Sequence, residues 1–111
     1  MPLDYLTHIR DECRYLLNAR EGLGYEEFVR DETLKRSFVR SLEIIGEASR
    51  NVPEEFRRKH PGIEWREMAG MRDVLIHGYF GVDYKIVWDI VSNHIPALLE
   101  KVNQILDVES L

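Results

Sequence analysis

Arg72, His77 and Tyr79 lie in the stretch Gly70-Met71-Arg72-Asp73-Val74-Leu75-Ile76-His77-Gly78-Tyr79-Phe80, where reactive polar side chains fall in the most apolar neighbourhood of the chain. An arginine is seldom placed on a core helix unless it is paired or working. Read as a helix, Asp73 and His77 stand only ~40° apart, so the carboxylate can orient the imidazole and favour its charged form. A position near the helix C-terminus favours a cation at His77 as well. Arg72 precedes His77 by five residues, roughly 140° around the same helix. The two can converge on one phosphate through the reach of the arginine or a local unwinding at Gly78. A two-fold axis that brings two arginines and two histidines into one cleft offers another route. Tyr79, seven residues after Arg72, returns to the arginine's face if the helix continues that far.

Without a metal, these residue types permit cleavage of an RNA strand. A neutral histidine can take the ribose 2′-hydroxyl proton while a second, protonated histidine gives one to the leaving oxygen. The planar fork of Arg72 would hold the phosphate and stabilise the charge gathering on it. The bland alternative is a buried ion pair of Arg72 and His77 with Asp73 and Glu47, tying two helices together. Glu47 reads either as a partner supporting Arg72 or as a plain surface acid, and Gly46 before it would allow close helix approach. Tyr79 could equally be a helix-end aromatic that packs and hydrogen-bonds its hydroxyl.

The elements that must position these groups read as helices. Leu6, Ile9, Cys13, Leu16 and Leu17 recur at three- and four-residue steps, and Glu21-Gly22-Leu23-Gly24 breaks that stripe. A second long segment carries Phe28, Leu34, Phe38, Leu42, Ile45 and Ala48 on one side, with Arg30, Glu32, Lys35 and Arg36 on the other. Pro53-Glu54-Glu55 suits the first turn of a short helix that ends at Pro61-Gly62. Trp65, Met68, Ala69, Val74, Leu75 and Ile76 form an apolar segment expected deep in the core, bounded by Gly78 and Gly81. A last segment, N-capped by Asp83, runs through Tyr84, Val87, Val91, Ile95, Leu98, Val102 and Ile105, with Pro96 expected to kink it. No alternating strand pattern, internal repeat or linker divides the chain. The expected fold is all-α, a compact bundle of four long helices plus a short one, in one domain over residues 1–111.

Composition narrows the function classes. The 111 residues carry 44% hydrophobic and 32% charged residues, an ordinary globular balance that excludes disorder. No apolar run approaches the ~20 residues of a membrane span. Met-Pro-Leu-Asp-Tyr shows no leader pattern, and the single cysteine, Cys13, excludes an intrachain disulfide, so the cytoplasm is the expected compartment. The net charge of −5 runs against a nucleic-acid ligand, so any RNA contact must use a local basic patch. Lys35, Arg36 and Arg40 form one cluster and Arg57, Arg58 and Lys59 another, although such runs are most often solvated faces. His8, His60 and His94 are scattered without metal-ligand spacing, so no metal and no cofactor are expected. Trp65, Trp88 and Phe80 read as core or interface, Cys13 as an inert small hydrophobe, and Gly78-Tyr79-Phe80-Gly81 lacks what a phosphate loop needs.

The spacing Arg-x4-His-x-Tyr resembles the motif of the HepT-like toxins of the HEPN superfamily. The stretches 28–36, Leu42-Glu43-Ile44-Ile45-Gly46-Glu47-Ala48 and 65–73 resemble the same family, so the likeness covers nearly the whole chain. It implies a HEPN-like up-and-down helical bundle forming a homodimer, with Arg72 and His77 at the dimer cleft acting as a metal-independent endoribonuclease. The implied substrate is transfer RNA. The implied partner is a minimal nucleotidyltransferase antitoxin of the MntA type, in a type VII-like toxin–antitoxin pair. In such pairs the antitoxin transfers AMP to the motif tyrosine, here Tyr79, adding bulk and negative charge at the cleft mouth. The alternative of another class is a non-catalytic subunit that docks nucleotide or substrate for such a nucleotidyltransferase. A third is a degenerate toxin that keeps only the partner-binding surface.

Overall fold

The computed structural model describes residues 1–76 and 81–111, so His77, Gly78, Tyr79 and Phe80 lie outside the described residues. These form an all-α bundle: α1 (Pro2–Arg20), α2 (Tyr25–Arg30), α3 (Glu32–Asn51), α4 (Glu54–Lys59), α5 (Trp65–Ala69), α6 (Met71–Leu75), α7 (Tyr84–Asn93) and α8 (Ile95–Glu109). No described helix is long and apolar enough to cross a membrane.

Helix α1 begins with a proline in its first turn and ends before Gly22, whose φ of 73° suits a residue without a Cβ. Its stripe of Leu6, Ile9, Cys13 and Leu16 is fully buried, as the periodicity requires. Burial also pushes the Cys13 thiol up to about 12, which keeps it protonated and inert. The stretch from Phe28 to Ala48, which reads as one helical segment, is divided at Asp31. That residue is extended, and its carboxylate accepts from Leu34 N at 2.9 Å. An aspartate that satisfies an orphan N–H competes well with helix continuation, so α3 starts afresh.

Helix α3 is the hub, packing along α1 and against α2, α5, α6 and α7. It buries Phe38, Leu42 and Ile45 completely. Phe38 meets Phe28 of α2 at 4.9 Å between ring centroids, and Phe28 meets Trp88 of α7 at 5.2 Å. Trp88 and Trp65 thus serve the core, the indole N–H of Trp65 donating to the His60 carbonyl at 2.8 Å.

Two further segments divide. The expected apolar helix becomes α5 and α6, separated by Gly70, and ends at Leu75. The last segment keeps its stripe, with Val87, Val91, Ile95, Leu98, Val102 and Ile105 all buried. It breaks at His94, the residue between α7 and α8, rather than bending within one helix. Pro96 then occupies the first turn of α8, where its missing N–H costs nothing. Asp83 caps α7 as expected, accepting from Lys85 N and Ile86 N.

Gly46 sets how closely α3 meets the α5–α6 elbow. A Cβ at this position would lie 3.0 Å from the Met68 carbonyl oxygen and 3.6 Å from the Met71 Cβ. Gly46→Val should therefore lower the unfolding free energy by about 1–3 kcal/mol, the usual cost of overpacking. Urea titration checks this, and an unchanged midpoint would mean that the elbow can move away from α3 freely.

Candidate active site

Arg72 projects from α6, whose buried face is Met71 and Leu75; Arg72, Asp73 and Val74 are exposed. The expectation that this whole segment lies deep in the core is thus corrected. A five-residue helix with two anchors has one inner face, and the arginine is on the other. Its guanidinium needs no buried counter-ion, and none of the described residues makes a hydrogen bond or ion pair with it.

The arginine lines a cavity of about 190 Å³ between α3 and the elbow, together with Arg40, Glu43, Gly46, Glu47, Arg50 and Ala69. Arg50 builds one wall, its Nη2 donating to the Ala69 carbonyl at 2.8 Å while its Nη1 lies 3.5 Å from Glu47 Oε2. The Ala69 carbonyl belongs to the last residue of α5, one of the groups a helix end leaves unpaired. Glu47 therefore holds the arginine that holds the elbow, and its ion pair among the described residues goes to Arg50 rather than Arg72. Three arginines against two carboxylates leave this cavity slightly positive on an acidic chain. Planar guanidinium groups at the mouth of such a cavity suit a phosphate.

Asp73 is exposed and does not line this cavity. The reading that Asp73 orients His77 across one helical turn required a helix through His77. Helix α6 ends at Leu75, and Ile76 is extended (φ −106°, ψ 119°), so helical spacing no longer supplies that pairing or the return of Tyr79 to the face of Arg72. His77 and Tyr79 themselves lie outside the described residues. What the structure does fix is the chain on either side of residues 77–80. Ile76 bridges Val82 in antiparallel fashion, and Asp83 N donates to the Leu75 carbonyl at 2.9 Å. Gly81, just before Val82, takes a φ of 80°, which suits a residue without a Cβ.

Several of the remaining candidates are engaged elsewhere. Lys35 pairs with Glu32 at 3.0 Å and lies over the Tyr84 ring, Arg58 pairs with Glu54, and Lys59 pairs with Glu109. Both basic clusters are thereby partly neutralised. His60 lies 2.6 Å from Glu109 and His94 3.7 Å from Asp89. Among the described residues, no group of His, Cys, Asp and Glu could hold a metal ion. Arg50 is the residue that sequence reasoning missed. The available signal was its position three residues after Glu47 and four after Gly46, on the same helix face.

The Lys59 and His60 partners hold the Glu109 carboxyl below the usual carboxylate range. A depressed carboxylate contributes stability above its unfolded pKa and loses it as pH falls through the folded one. Glu109→Gln should therefore melt below the wild type at neutral pH, with the gap closing as the pH drops below about 4. Thermal melts of both proteins across that range test this, and a gap independent of pH would reassign the effect to packing.

Comparison with known proteins adds an independent line. Residues 4–105 match the family described as ribonuclease HepT-like. The chain is 53% identical over 108 residues to a protein of Caldanaerobacter subterraneus subsp. tengcongensis named a putative RNase, covering 97% of this chain and 96% of that one. It is 46% identical over 98 residues to a protein of Thermococcus cleftensis named a probable ribonuclease HepT, covering 88% and 89%. A Methanocaldococcus jannaschii protein named gamma-glutamylcyclotransferase and putative RNase is 39% identical over 103 residues, covering 93% of this chain but 46% of that longer one. No solved structure matches the chain.

Proposed function

Because the chain belongs to the HepT-like ribonuclease family, we propose that it cuts RNA at the Arg72 cleft, with Arg72 and His77 as its catalytic residues. The observation that carries this reading is the family match running through the whole Arg-x4-His-x-Tyr motif, with Arg72 exposed in a slightly positive cavity. Two copies of the chain form the complete site, so that the His77 of one copy serves as base and that of the other as acid.

The reaction follows from these groups. A neutral His77 takes the proton of the ribose 2′-hydroxyl, and that oxygen attacks the adjacent phosphorus. The P–O5′ bond breaks, and the protonated His77 of the second copy gives its proton to the leaving oxygen. The products are a 2′,3′-cyclic phosphate and a free 5′-hydroxyl. Arg72 carries the charge that gathers on the phosphoryl oxygens, so no metal is needed for it. Asp73 and Glu47 support the site, Glu47 acting through Arg50 on the elbow. DNA, lacking the 2′-hydroxyl, is not cut.

Tyr79 is the AMP acceptor in this reading. Transfer of AMP from ATP to its hydroxyl, with release of pyrophosphate, by an MntA-type nucleotidyltransferase partner silences the enzyme. The added phosphate repels RNA next to Arg72. Transfer RNA is the proposed substrate, and the pair works as a toxin and its antitoxin in the cytoplasm. The chain folds as one unit over residues 1–111.

Incubation of unmodified protein with total and transfer RNA in EDTA should yield cyclic-phosphate ends. Arg72→Ala should slow the cut by about 10²–10³-fold, the usual weight of a lost oxyanion donor. His77→Ala should slow it by about 10²–10⁴-fold. Full activity in either variant, or a requirement for divalent metal, would overturn the mechanism. No cutting by folded wild-type dimer would instead favour a docking subunit for the nucleotidyltransferase. In a separate assay with that partner and ATP, Tyr79→Phe should remain unmodified and active. A mass spectrum showing AMP elsewhere on the chain would remove Tyr79 from the scheme.

A further inference from the structure

The Arg72 cavity shares a wall with a second cavity. Arg40 and Glu47 of α3 line both. On the far side of that wall lies a space of about 240 Å³, lined also by Tyr5 and His8 of α1 and by Ile44 and Asn51 of α3. Tyr5 and His8 are three residues apart on one helix, so they are neighbours on one face. The Tyr5 ring is half-buried and rests on the core, which fixes it, while His8 is exposed. The Asn51 amide donates to the Glu47 carbonyl at 3.0 Å, so its own oxygen can still accept a hydrogen bond. Arg40, exposed on the shared wall, makes no hydrogen bond or ion pair among the described residues.

Flat rings for stacking, an amide for a base edge and an arginine for a phosphate are the parts an unpaired nucleotide needs. We propose that this second cavity holds an unpaired nucleotide of the RNA, its base on Tyr5 and His8 and its phosphate on Arg40. That phosphate neighbours, along the strand, the one gripped by Arg72. The proposal rests on the ribonuclease reading for its ligand class, but it concerns binding and not the cut. Glu47 faces both cavities, and its pairing with Arg50 at 3.5 Å tempers its repulsion of the strand. An apolar peptide would leave Arg40 and Asn51 without partners, and a bare phosphate would leave both rings unused.

The test is fluorescence anisotropy of the unmodified protein with a labelled single-stranded oligonucleotide carrying 2′-O-methyl riboses, which cannot supply the attacking hydroxyl. A matching abasic oligomer serves as the control. Tyr5→Leu keeps apolar contact with the core but removes the ring. It and His8→Ala should each weaken binding of the base-bearing strand about tenfold, near the lower end of what one base stack contributes. Tyr5→Phe should bind as wild type, and the abasic strand should not distinguish Tyr5→Leu from wild type. Arg40→Gln should weaken both strands and flatten the salt dependence. His8 is exposed, so its variant remains informative even if Tyr5→Leu fails to fold. Wild-type affinity in His8→Ala and in folded Tyr5→Leu, or no binding by the wild type, would overturn the proposal. Ring-dependent binding by a protein that cuts no RNA would retain this site while removing the nuclease reading.

Discussion

The close approach of α3 to the α5–α6 elbow is the constraint on which the site depends. Helices of five residues do not hold their shape alone, because helix nucleation costs more than so few hydrogen bonds return. Their geometry is imposed by what they lie against. Gly46 lets the Met68 carbonyl come in where any Cβ would resist, and Met71 and Trp65 are buried beside it. Arg50, exposed and paired with Glu47, completes the contact by donating to the Ala69 carbonyl. The direction in which Arg72 leaves the protein is therefore set by a helix some twenty residues earlier in the chain. That helix is in turn fixed by Phe38, Leu42 and Ile45 in the core.

Charge poses the opposite problem. A chain of net charge −5 repels a polyanion at long range, but at physiological salt that repulsion decays over about 8 Å. What decides RNA contact is then the composition of the last few ångströms. Several basic residues are already committed: Lys35 to Glu32 and Tyr84, Arg58 to Glu54, Lys59 to Glu109, and Arg20 to Ser92 and the Trp88 ring. Arg40 and Arg72 are not so held, and both face the same cavity. An acidic protein can thus present a small basic cleft without a basic face.

The helical class, the α1 stripe, the Asp83 cap and the close approach at Gly46 were all legible in the sequence, because each follows from residues near one another in the chain. Apolar spacing also identified the stripe shared by α7 and α8. It did not show the breaks at Asp31, Gly70 and His94, since a stripe continues across a break when both pieces pack on the same core. The placement of Arg72 was misread for a related reason. Apolar neighbours in sequence suggested burial, yet Val74 is 49% exposed and only Met71 and Leu75 turn inward. Arg50 was missed because its partner, the Ala69 carbonyl, is a backbone atom 19 residues away, and only its place one turn after Glu47 hinted at it. The helical arithmetic applied to the motif failed where α6 ends.

That failure changes what the motif spacing means. If one helix ran from Arg72 to His77, the four intervening residues would measure an angle. The chain instead leaves α6 at Leu75, and Ile76 and Leu75 pair with Val82 and Asp83 on the way back. Leu75 is fully buried, Asp83 caps α7, and α7 is anchored by the buried Val87 and Val91. The chain on either side of residues 77–80 is thereby tied to the core. Arg72 thus stands on a helix that ends three residues later, at Leu75, and Ile76 is already extended. The placement of Arg72 is therefore set by the Met71 and Leu75 anchors of α6, and the return at Val82 and Asp83 is tied to the same helix end.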